Sequence, residues 1–250
     1  MPQVVVALLT PHGRPEALRE HVDFLVEAGV DALMPCGTTG EGPLLTDDEI
    51  VKVVHATIDA AAGRVPVFAH IGRPDTYTTI ALAHEVLSEG AAAVSALVPY
   101  YYAYSEDQIV GHFAELVGSV EPAPAYAYTI PARTGNELST DAVRRLGAEG
   151  LTGVKDSTKS WERHLEYLET GIDVLIGTDA MVVDSFRAGS AGCVSALANV
   201  RPDLLCRARD GKDVQEEISA LRAELPFSKL KAALAERLPG YPTSYRAPLG

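Results

Sequence analysis

Lys155 is the residue of this sequence best suited to nucleophilic chemistry, because it ends the short apolar run Leu151–Lys155. The chain has six lysines, and the other five lie in polar segments with helical patterns, where solvated ammonium groups are expected. A lysine at the end of a buried strand loses hydration, which lowers its pKa. The neutral amine can attack a carbonyl carbon and form a Schiff base. Taken alone, a lysine at the end of a strand is more often part of an ion pair at the rim of the fold than a nucleophile.

A second group of polar residues follows the apolar run Ala32–Cys36. The segment GTTGEG begins there at Gly37 and continues with Thr38 and Thr39, just before a helical pattern. Exposed backbone N–H groups beside two hydroxyls form a small nest that suits a carboxylate. An ordinary turn between strand and helix is the alternative interpretation, since such turns also favour glycine and threonine.

Further candidates follow other apolar runs. Tyr128 lies near the end of one run, and a tyrosine at this position can relay a proton. Arg133 follows it, and a guanidinium can bind a carboxylate through two parallel hydrogen bonds. Four tyrosines fall within Tyr100–Tyr104, where packing or an interface is the alternative role. Gly177 ends the seventh run and Ser195 lies in the eighth. Together these residues predict a site for a 2-oxo acid.

The residues must be positioned by a repeating strand–helix unit. Eight apolar runs predict strands at Val4–Leu9, Ala32–Cys36, Val65–Ala69, Ala92–Val98, Ala125–Thr129, Leu151–Lys155, Asp173–Gly177 and Ala191–Ala196. Amphipathic patterns predict helices at Pro15–Ala28, Asp47–Ala62, Asp75–Glu89, Glu106–Gly118, Ser139–Ala148, Ser160–Glu169, Ala180–Arg187 and Arg201–Arg209. Eight such units predict an α/β fold, a closed (β/α)₈ TIM barrel with catalytic groups at the C-terminal strand ends.

The predicted domain organisation is a catalytic barrel over residues 1–210, followed by C-terminal helices and a tail over residues 211–250. The two further helices are predicted at Val214–Leu225 and Phe227–Leu238. Thr46 and Glu49 have the spacing of a capping box at the start of the second helix.

Composition narrows the function classes. The 250 residues carry a net charge of −13, which argues against nucleic acid and anionic membrane surfaces as partners. No apolar run reaches the ~18 residues needed to span a membrane, and the N-terminal stretch lacks the features of a signal peptide. The three cysteines are far apart, and the seven histidines show no ligand spacing. We therefore predict a cytoplasmic protein with reduced thiols and no metal.

Four ordered motifs together resemble the dihydrodipicolinate synthase / N-acetylneuraminate lyase family of class I, pyruvate-dependent aldolases. The motifs are Gly37–Glu41, Pro99–Tyr101, Tyr128–Gly135 and Gly153–Asp156. The resemblance runs from about Val4 to Asn199, with a weaker echo in Leu230–Leu249. It implies a shortened C-terminal helical extension, because this chain has fewer residues after Asn199 than a full three-helix domain requires.

The resemblance also implies a role for each catalytic residue. Lys155 forms the imine with pyruvate, without any cofactor, and Tyr128 is the acid/base. Thr38 and Thr39 hold the pyruvate carboxylate, and Thr38 links Tyr128 to Tyr101 in a proton relay. In many members the equivalent of Tyr101 reaches the site of a neighbouring subunit, which implies a homodimer or a dimer-based oligomer.

The resemblance extends to the substrate-binding residues, which include Gly37, Gly177 and Ser195. Arg133 matches the residue that binds the carboxylate of the aldehyde partner in the synthase branch. Two residues depart from the family pattern. Thr129 stands in place of Asn, and His70 stands in place of Gly, where it either touches substrate or is a structural histidine bonded to backbone.

Four functions stay open at the level of sequence, and the fourth is a hydratase-aldolase that acts on a hydrophobic aldehyde. Arg133 favours a dihydrodipicolinate-synthase-like enzyme that joins pyruvate to an aldehyde such as aspartate semialdehyde. The segment KDST from Lys155 is more similar to 2-keto-3-deoxy sugar-acid aldolases. The third alternative is a catalytically silent barrel that binds a 2-oxo acid, suggested by His70 and the shortened C-terminal extension.

Overall fold

The computed structural model describes residues 1–14 and 16–249. Its strands are β1 Gln3–Ala7, β2 Ala32–Met34, β3 Phe68–His70, β4 Ala93–Leu97, β5 Ala125–Thr129, β6 Gly153–Asp156, β7 Asp173–Ile176 and β8 Gly192–Ser195. Its helices are α1 Glu16–Glu27, α2 Asp47–Ala61, α3 Thr76–Ser88, α4 Glu106–Val120, α5 Pro131–Thr134, α6 Thr140–Ala148, α7 Trp161–Leu168, α8 Val182–Arg187, α9 Pro202–Arg209, α10 Gln215–Glu224 and α11 Leu230–Arg237. The predicted helix start at Pro15 lies outside the described residues.

All strands belong to one parallel sheet whose neighbours follow chain order from β3 to β8 and then continue to β1 and β2. The sheet closes on itself where Leu33 pairs with Val67, and the Leu33 N–H donates to the Pro66 carbonyl at 3.1 Å. Helices alternate with the strands around the outside. The predicted (β/α)₈ barrel is therefore confirmed, with the strand ends that precede each helix gathered at one mouth.

The second helix begins as its sequence predicts. The Thr46 hydroxyl accepts a hydrogen bond from the Glu49 N–H at 3.3 Å, and the Glu49 carboxylate accepts from the Thr46 N–H at 2.9 Å. This reciprocal pair satisfies two backbone donors that a helix start otherwise leaves unpaired. The predicted capping box is confirmed.

The third strand lies further along the chain than predicted, at Phe68–His70 instead of Val65–Ala69. Pro66 has no N–H and cannot donate to a strand ladder, so the ladder begins after it. The shift places His70 inside a strand. The short helix α5 was not predicted, because four residues are too few to show a helical period.

Two later helices, one in the barrel and one in the C-terminal extension, also begin further along the chain than predicted. Single 3₁₀ turns at Asp179–Met181 and Phe227–Lys229 precede α8 and α11, where the sequence predicted one continuous helix each. No helix within residues 1–14 and 16–249 is long and apolar enough to cross a membrane.

The barrel interior is filled by small and medium apolar side chains below the mouth. Its core consists of Val5, Ala7, Ala32, Met34, Phe68, Ala93, Tyr126, Leu175 and Val194. Side chains alternate between the two faces of a strand, so a residue two positions beyond a core residue points to the same interior. Tyr128 therefore lies above Tyr126 on β5. In the adjacent strand β6, Lys155 lies two positions after Gly153 and is paired with Tyr128 in register.

Candidate active site

Lys155 lies at the end of β6 and points into the barrel mouth. Its side chain is only 4% exposed, and burial lowers the pKa of its amine from the ordinary lysine value. The Nζ atom lies 3.8 Å from the centroid of the Tyr128 ring. The lysine is therefore neither solvated nor tied up in an ion pair at the rim, and its amine can act as a nucleophile.

Tyr128 connects the lysine to the loop after β2. The Tyr128 hydroxyl lies 3.4 Å from the Thr38 hydroxyl, a long hydrogen bond in which either oxygen can donate. Tyr128 is buried, whereas Thr38 is half-buried and faces the open mouth. A proton can thus pass between the neighbourhood of Lys155 and the mouth through two hydroxyl groups.

The loop after β2 is tightly wound, and two of its glycines are required by close backbone contacts. The Gly42 N–H donates to the Gly37 carbonyl at 3.0 Å and closes the loop. A Cβ atom at Gly42 would lie 1.7 Å from the Cys36 carbonyl oxygen, and one at Gly40 would lie 2.8 Å from the Leu8 carbonyl oxygen. The Thr10 hydroxyl donates to the Gly40 carbonyl at 2.7 Å and fixes the loop from the β1 side. Glycine at positions 40 and 42 therefore allows this tight turn, which carries Thr38.

The predicted catalytic and carboxylate-binding groups share one cavity of about 610 Å³. Thr38, Thr39, Tyr128 and Lys155 all line it, so residues distant in the sequence are brought together as predicted. Gly37 is buried at the start of the loop and does not form part of the cavity wall described here.

Gly177 lines the same cavity directly beside the lysine. Its N–H donates to the Asp156 carbonyl at 2.7 Å, which ties the end of β7 to the end of β6. A Cβ atom at Gly177 would lie 2.2 Å from the Ser157 hydroxyl oxygen and 3.4 Å from Cε of Lys155. Glycine therefore preserves the space that a substrate needs next to the amine.

Asp179 is a cavity residue that the sequence analysis did not assign to the site. It is buried in the cavity wall, and burial raises the pKa of its carboxyl group. The Ser195 hydroxyl donates to Asp179 Oδ1 at 2.6 Å. Ser195 was predicted to bind substrate, but it is not among the cavity-lining residues, and its hydroxyl orients Asp179 instead.

Three cationic side chains surround the outer part of the cavity. Arg133, in α5, is exposed and lines the cavity as predicted, together with Lys159 and Arg222. Arg222 belongs to α10, and its Nε lies 3.8 Å from Oδ2 of Asp179. Arg222 could not be predicted as a site residue, because nothing in its local sequence pattern indicates that α10 reaches the mouth.

Tyr101 is the one predicted catalytic residue that does not join the cavity of its own chain. Its side chain is 84% exposed and packs edge-on against Tyr102, with ring centroids 5.0 Å apart. Its backbone has φ of +80°, a left-handed conformation that is unfavourable for a tyrosine. The loop thus holds Tyr101 outward, away from Tyr128 in the same chain.

His70 lies inside the barrel beneath Tyr128, with ring centroids 5.8 Å apart in an edge-on arrangement. Burial, followed by the nearby charges of Lys155 and Arg73, lowers the pKa of His70 to about 3. Neither ring nitrogen makes a hydrogen bond within residues 1–14 and 16–249. Neither expected role is met, because His70 neither lines the cavity nor bonds to backbone. Thr129, the other departure, is fully buried.

Comparisons with known proteins show the family and agree with the fold. A model of the dihydrodipicolinate synthetase family matches residues 3–223. An uncharacterized DapA-like lyase of Halobacterium salinarum is 36% identical over 92% of this chain and 76% of its own length. The 4-hydroxy-tetrahydrodipicolinate synthase of Syntrophus aciditrophicus is 34% identical over 81% of this chain and 72% of its own. The crystal structure of dihydrodipicolinate synthase from Aquifex aeolicus superposes with a TM-score of 0.90 at 30% identity, covering 100% of this chain and 92% of that one.

Proposed function

The chain belongs to the dihydrodipicolinate synthetase family, and we propose that it is a pyruvate-dependent carbon–carbon lyase that works through a Schiff base on Lys155. The observation that carries this proposal is the position of Lys155. Its buried amine, with a lowered pKa, opens into the same cavity as Tyr128, Thr38 and Thr39. A lysine kept for structure alone would be paired with a carboxylate or with backbone carbonyls.

The proposed reaction begins when the neutral Lys155 amine attacks the ketone carbon of pyruvate. The carbinolamine takes a proton from Tyr128 and loses water, which leaves a protonated imine. This imine withdraws electrons, so the Tyr128 phenolate left by the dehydration removes a proton from the pyruvate methyl group and an enamine forms. The enamine carbon attacks the aldehyde carbonyl carbon and forms a C–C bond, while Tyr128 donates its proton to the aldehyde oxygen, which becomes a hydroxyl group. Hydrolysis of the new imine, with transfer of a water proton to Tyr128, returns free Lys155. Cleavage is the same sequence in reverse, and no cofactor enters either direction.

The carboxylate of pyruvate fits the loop that carries Thr38 and Thr39. Their hydroxyls and the adjacent backbone N–H groups can donate hydrogen bonds to a carboxylate. Held there, the ketone carbon faces Lys155, and Tyr128 is within reach of the departing oxygen. Positioning of this kind replaces an encounter in solution and contributes much of the rate enhancement.

The aldehyde partner is proposed to carry an anionic group, such as the carboxylate of aspartate semialdehyde. Arg133 supports this choice, because it lines the cavity and its exposed guanidinium faces arriving substrate. The relative from Syntrophus aciditrophicus is named as a 4-hydroxy-tetrahydrodipicolinate synthase, which agrees with a synthase-like reaction.

A 2-keto-3-deoxy sugar-acid aldolase is the second candidate, and Asp179 favours it. A buried carboxyl group in the cavity wall can accept a hydrogen bond from a sugar hydroxyl, whereas it would repel a second carboxylate. In the segment KDST that begins at Lys155, Ser157 lines the cavity. The Asp156 carboxylate instead points away from the cavity, and its Oδ2 lies 2.8 Å from Nδ1 of His164. Comparing turnover of aspartate semialdehyde with that of glyceraldehyde distinguishes the two candidates.

The complete site is proposed to require a second copy of this chain. A cavity of about 280 Å³ adjoins the first and shares Thr38 and Arg133 with it. Tyr101 is held outward from its own site, so the Tyr101 of a partner subunit can enter this cavity and reach Thr38. The proposed assembly is a homodimer or an oligomer built from dimers.

Exchange of the pyruvate methyl protons in heavy water tests the proposal without knowledge of the aldehyde. Enamine formation replaces methyl hydrogen by deuterium, which proton NMR follows directly. The wild-type protein should exchange the methyl group, and Lys155→Met should not. Lys212→Met, which removes a surface lysine far from the cavity, is the control and should exchange like the wild type. Wild-type exchange no faster than that of Lys155→Met would instead favour a silent barrel that only binds a 2-oxo acid.

A further inference from the structure

Glu41 is the last polar residue of the GTTGEG loop, and its backbone conformation is strained. It has φ of +62° although it is not a glycine, and its carboxylate is completely buried. A left-handed backbone and a buried charge both cost free energy, so the surrounding structure must compensate for them. Strain of this kind at the edge of a binding loop indicates a functional constraint.

The Glu41 carboxylate is held by groups from the C-terminal segment, which is the part of the chain after residue 210. Lys231 Nζ donates to Glu41 Oε1 at 2.6 Å, and the Arg246 backbone N–H donates to Oε2 at 2.7 Å. Lys231 is also completely buried, and its second donor goes to the Ser244 carbonyl at 2.8 Å. His12 Nε2 lies 3.0 Å from Oε2, although its ring is not aligned for a hydrogen bond.

The backbone of Glu41 contacts the same loop that carries Thr38 and Thr39. Its backbone N–H donates to the Thr38 carbonyl at 3.3 Å. Thr38 and Thr39 line the cavity of about 610 Å³, whereas Glu41 lines only the adjoining cavity and its carboxylate binds Lys231. Movement of Glu41 would therefore shift the two threonines that are proposed to hold the pyruvate carboxylate.

The C-terminal segment is itself fixed to the barrel on both sides of this loop. Arg246 binds the Glu49 carboxylate at 2.5 and 2.8 Å and the Leu44 carbonyl at 2.6 Å. Phe227 and Leu230 of the same segment line the main cavity. The segment is therefore attached to the barrel by hydrogen bonds and ion pairs on both sides of the loop.

We propose that Glu41 and Lys231 are positioning residues that hold Thr38 and Thr39 in the geometry required to bind the carboxylate of the 2-oxo acid. This inference rests on the proposed function. A buried ion pair adds little net stability compared with apolar residues of similar volume, so stability alone does not account for its presence. Its effect is to fix the orientation of one loop relative to the rest of the barrel.

The double variant Glu41→Met/Lys231→Met tests the proposal, because it removes both charges together and leaves no unpaired ion buried. Arg207→Met/Glu217→Met is the matched control, since this exposed pair of the same C-terminal region, 3.0 Å apart, lies away from the loop. Three quantities are measured: the melting temperature, the pyruvate concentration that half-saturates borohydride trapping on Lys155, and amide hydrogen exchange of residues 37–42.

The double variant should fold and should melt close to the wild type. Its half-saturating pyruvate concentration should rise at least about tenfold, because small misplacements of binding groups have large effects. Amide exchange in residues 37–42 should be faster by a similar factor, and the control should match the wild type in all three quantities. If the double variant does not fold, Glu41→Gln, which keeps the side-chain shape, should show the same changes at smaller amplitude.

Two outcomes would overturn the inference. One is a folded double variant that is trapped at the wild-type pyruvate concentration. The other is unchanged exchange in residues 37–42, a result that does not depend on pyruvate. A wild-type protein that is not trapped at all would instead contradict the proposed function, and the exchange measurement would then decide the positioning role of Glu41 and Lys231 on its own.

Discussion

Replacing Tyr128 by phenylalanine should separate catalysis from folding. The change removes one hydroxyl group and leaves the ring above Lys155, so the contact of 3.8 Å between Nζ and the ring centroid is kept. The lost hydrogen bond to Thr38 is long, at 3.4 Å. Its removal should therefore lower the free energy of unfolding by less than about 1 kcal/mol.

The catalytic loss should be much larger. A positioned acid/base contributes roughly 10²–10⁴-fold to the rate, which corresponds to about 3–5 kcal/mol of activation free energy. The Thr38 hydroxyl should not restore proton transfer in this variant, because the Tyr128 hydroxyl that connects it to the neighbourhood of Lys155 is missing. Turnover should fall within this range while the melting temperature changes little.

Tyr126→Phe is the matched control for this measurement. Tyr126 lies on the same strand and the same interior face, stacked on Phe68 with ring centroids 5.6 Å apart. It does not line the cavity described here, so its hydroxyl should not affect turnover. Methyl exchange of pyruvate and thermal unfolding are measured for both variants. A loss of less than about threefold in Tyr128→Phe would remove Tyr128 from the proton-transfer steps.

Three further predictions concern the cavity. Arg133→Ala should raise the Michaelis constant for a carboxylated aldehyde far more than that for pyruvate in steady-state assays; equal effects would make its role structural. Gly177→Ala should lower the free energy of unfolding by about 1–3 kcal/mol and reduce the trapping of pyruvate on Lys155, because the new Cβ would lie 2.2 Å from Ser157 Oγ. Wild-type values in denaturant titration and in borohydride trapping would contradict this prediction. Because burial lowers the pKa of Lys155, its neutral fraction is larger at a given pH than that of a free lysine, so the rate of imine formation should reach its plateau at a lower pH. If the rate of imine formation still rises as the pH approaches the ordinary lysine pKa of 10.5, the pKa of Lys155 is not lowered.

Much of the inner site could be predicted from sequence, because the barrel places strand ends at one mouth. Lys155 and Tyr128 each lie near the end of a buried apolar run, and strand alternation directs both side chains inward. The glycine-rich loop at Thr38 was recognisable from its composition. In each case a local sequence pattern predicted where the residue lies along the chain, and the barrel fold brought these residues together at the mouth.

The remaining site residues depend on contacts that no local pattern encodes. Ser195 at the end of β8 donates a hydrogen bond to Asp179 in the 3₁₀ turn before α8, so the direction of the Ser195 hydroxyl could not be predicted from its strand. Arg222 reaches the cavity only because α10 folds over the mouth. Lys231 lies 190 residues from Glu41 in the sequence. Its burial could be recognised only once the C-terminal segment was seen to pack against the barrel.

Reductive trapping tests directly whether Lys155 forms the Schiff base. The protein is incubated with pyruvate and borohydride, its intact mass is measured, and the modified peptide is mapped. We expect one stable pyruvate-derived adduct per chain, located on Lys155 and absent from Lys155→Met. A folded protein with no adduct, or with an adduct on a different lysine, would contradict the assignment of Lys155 as the nucleophile.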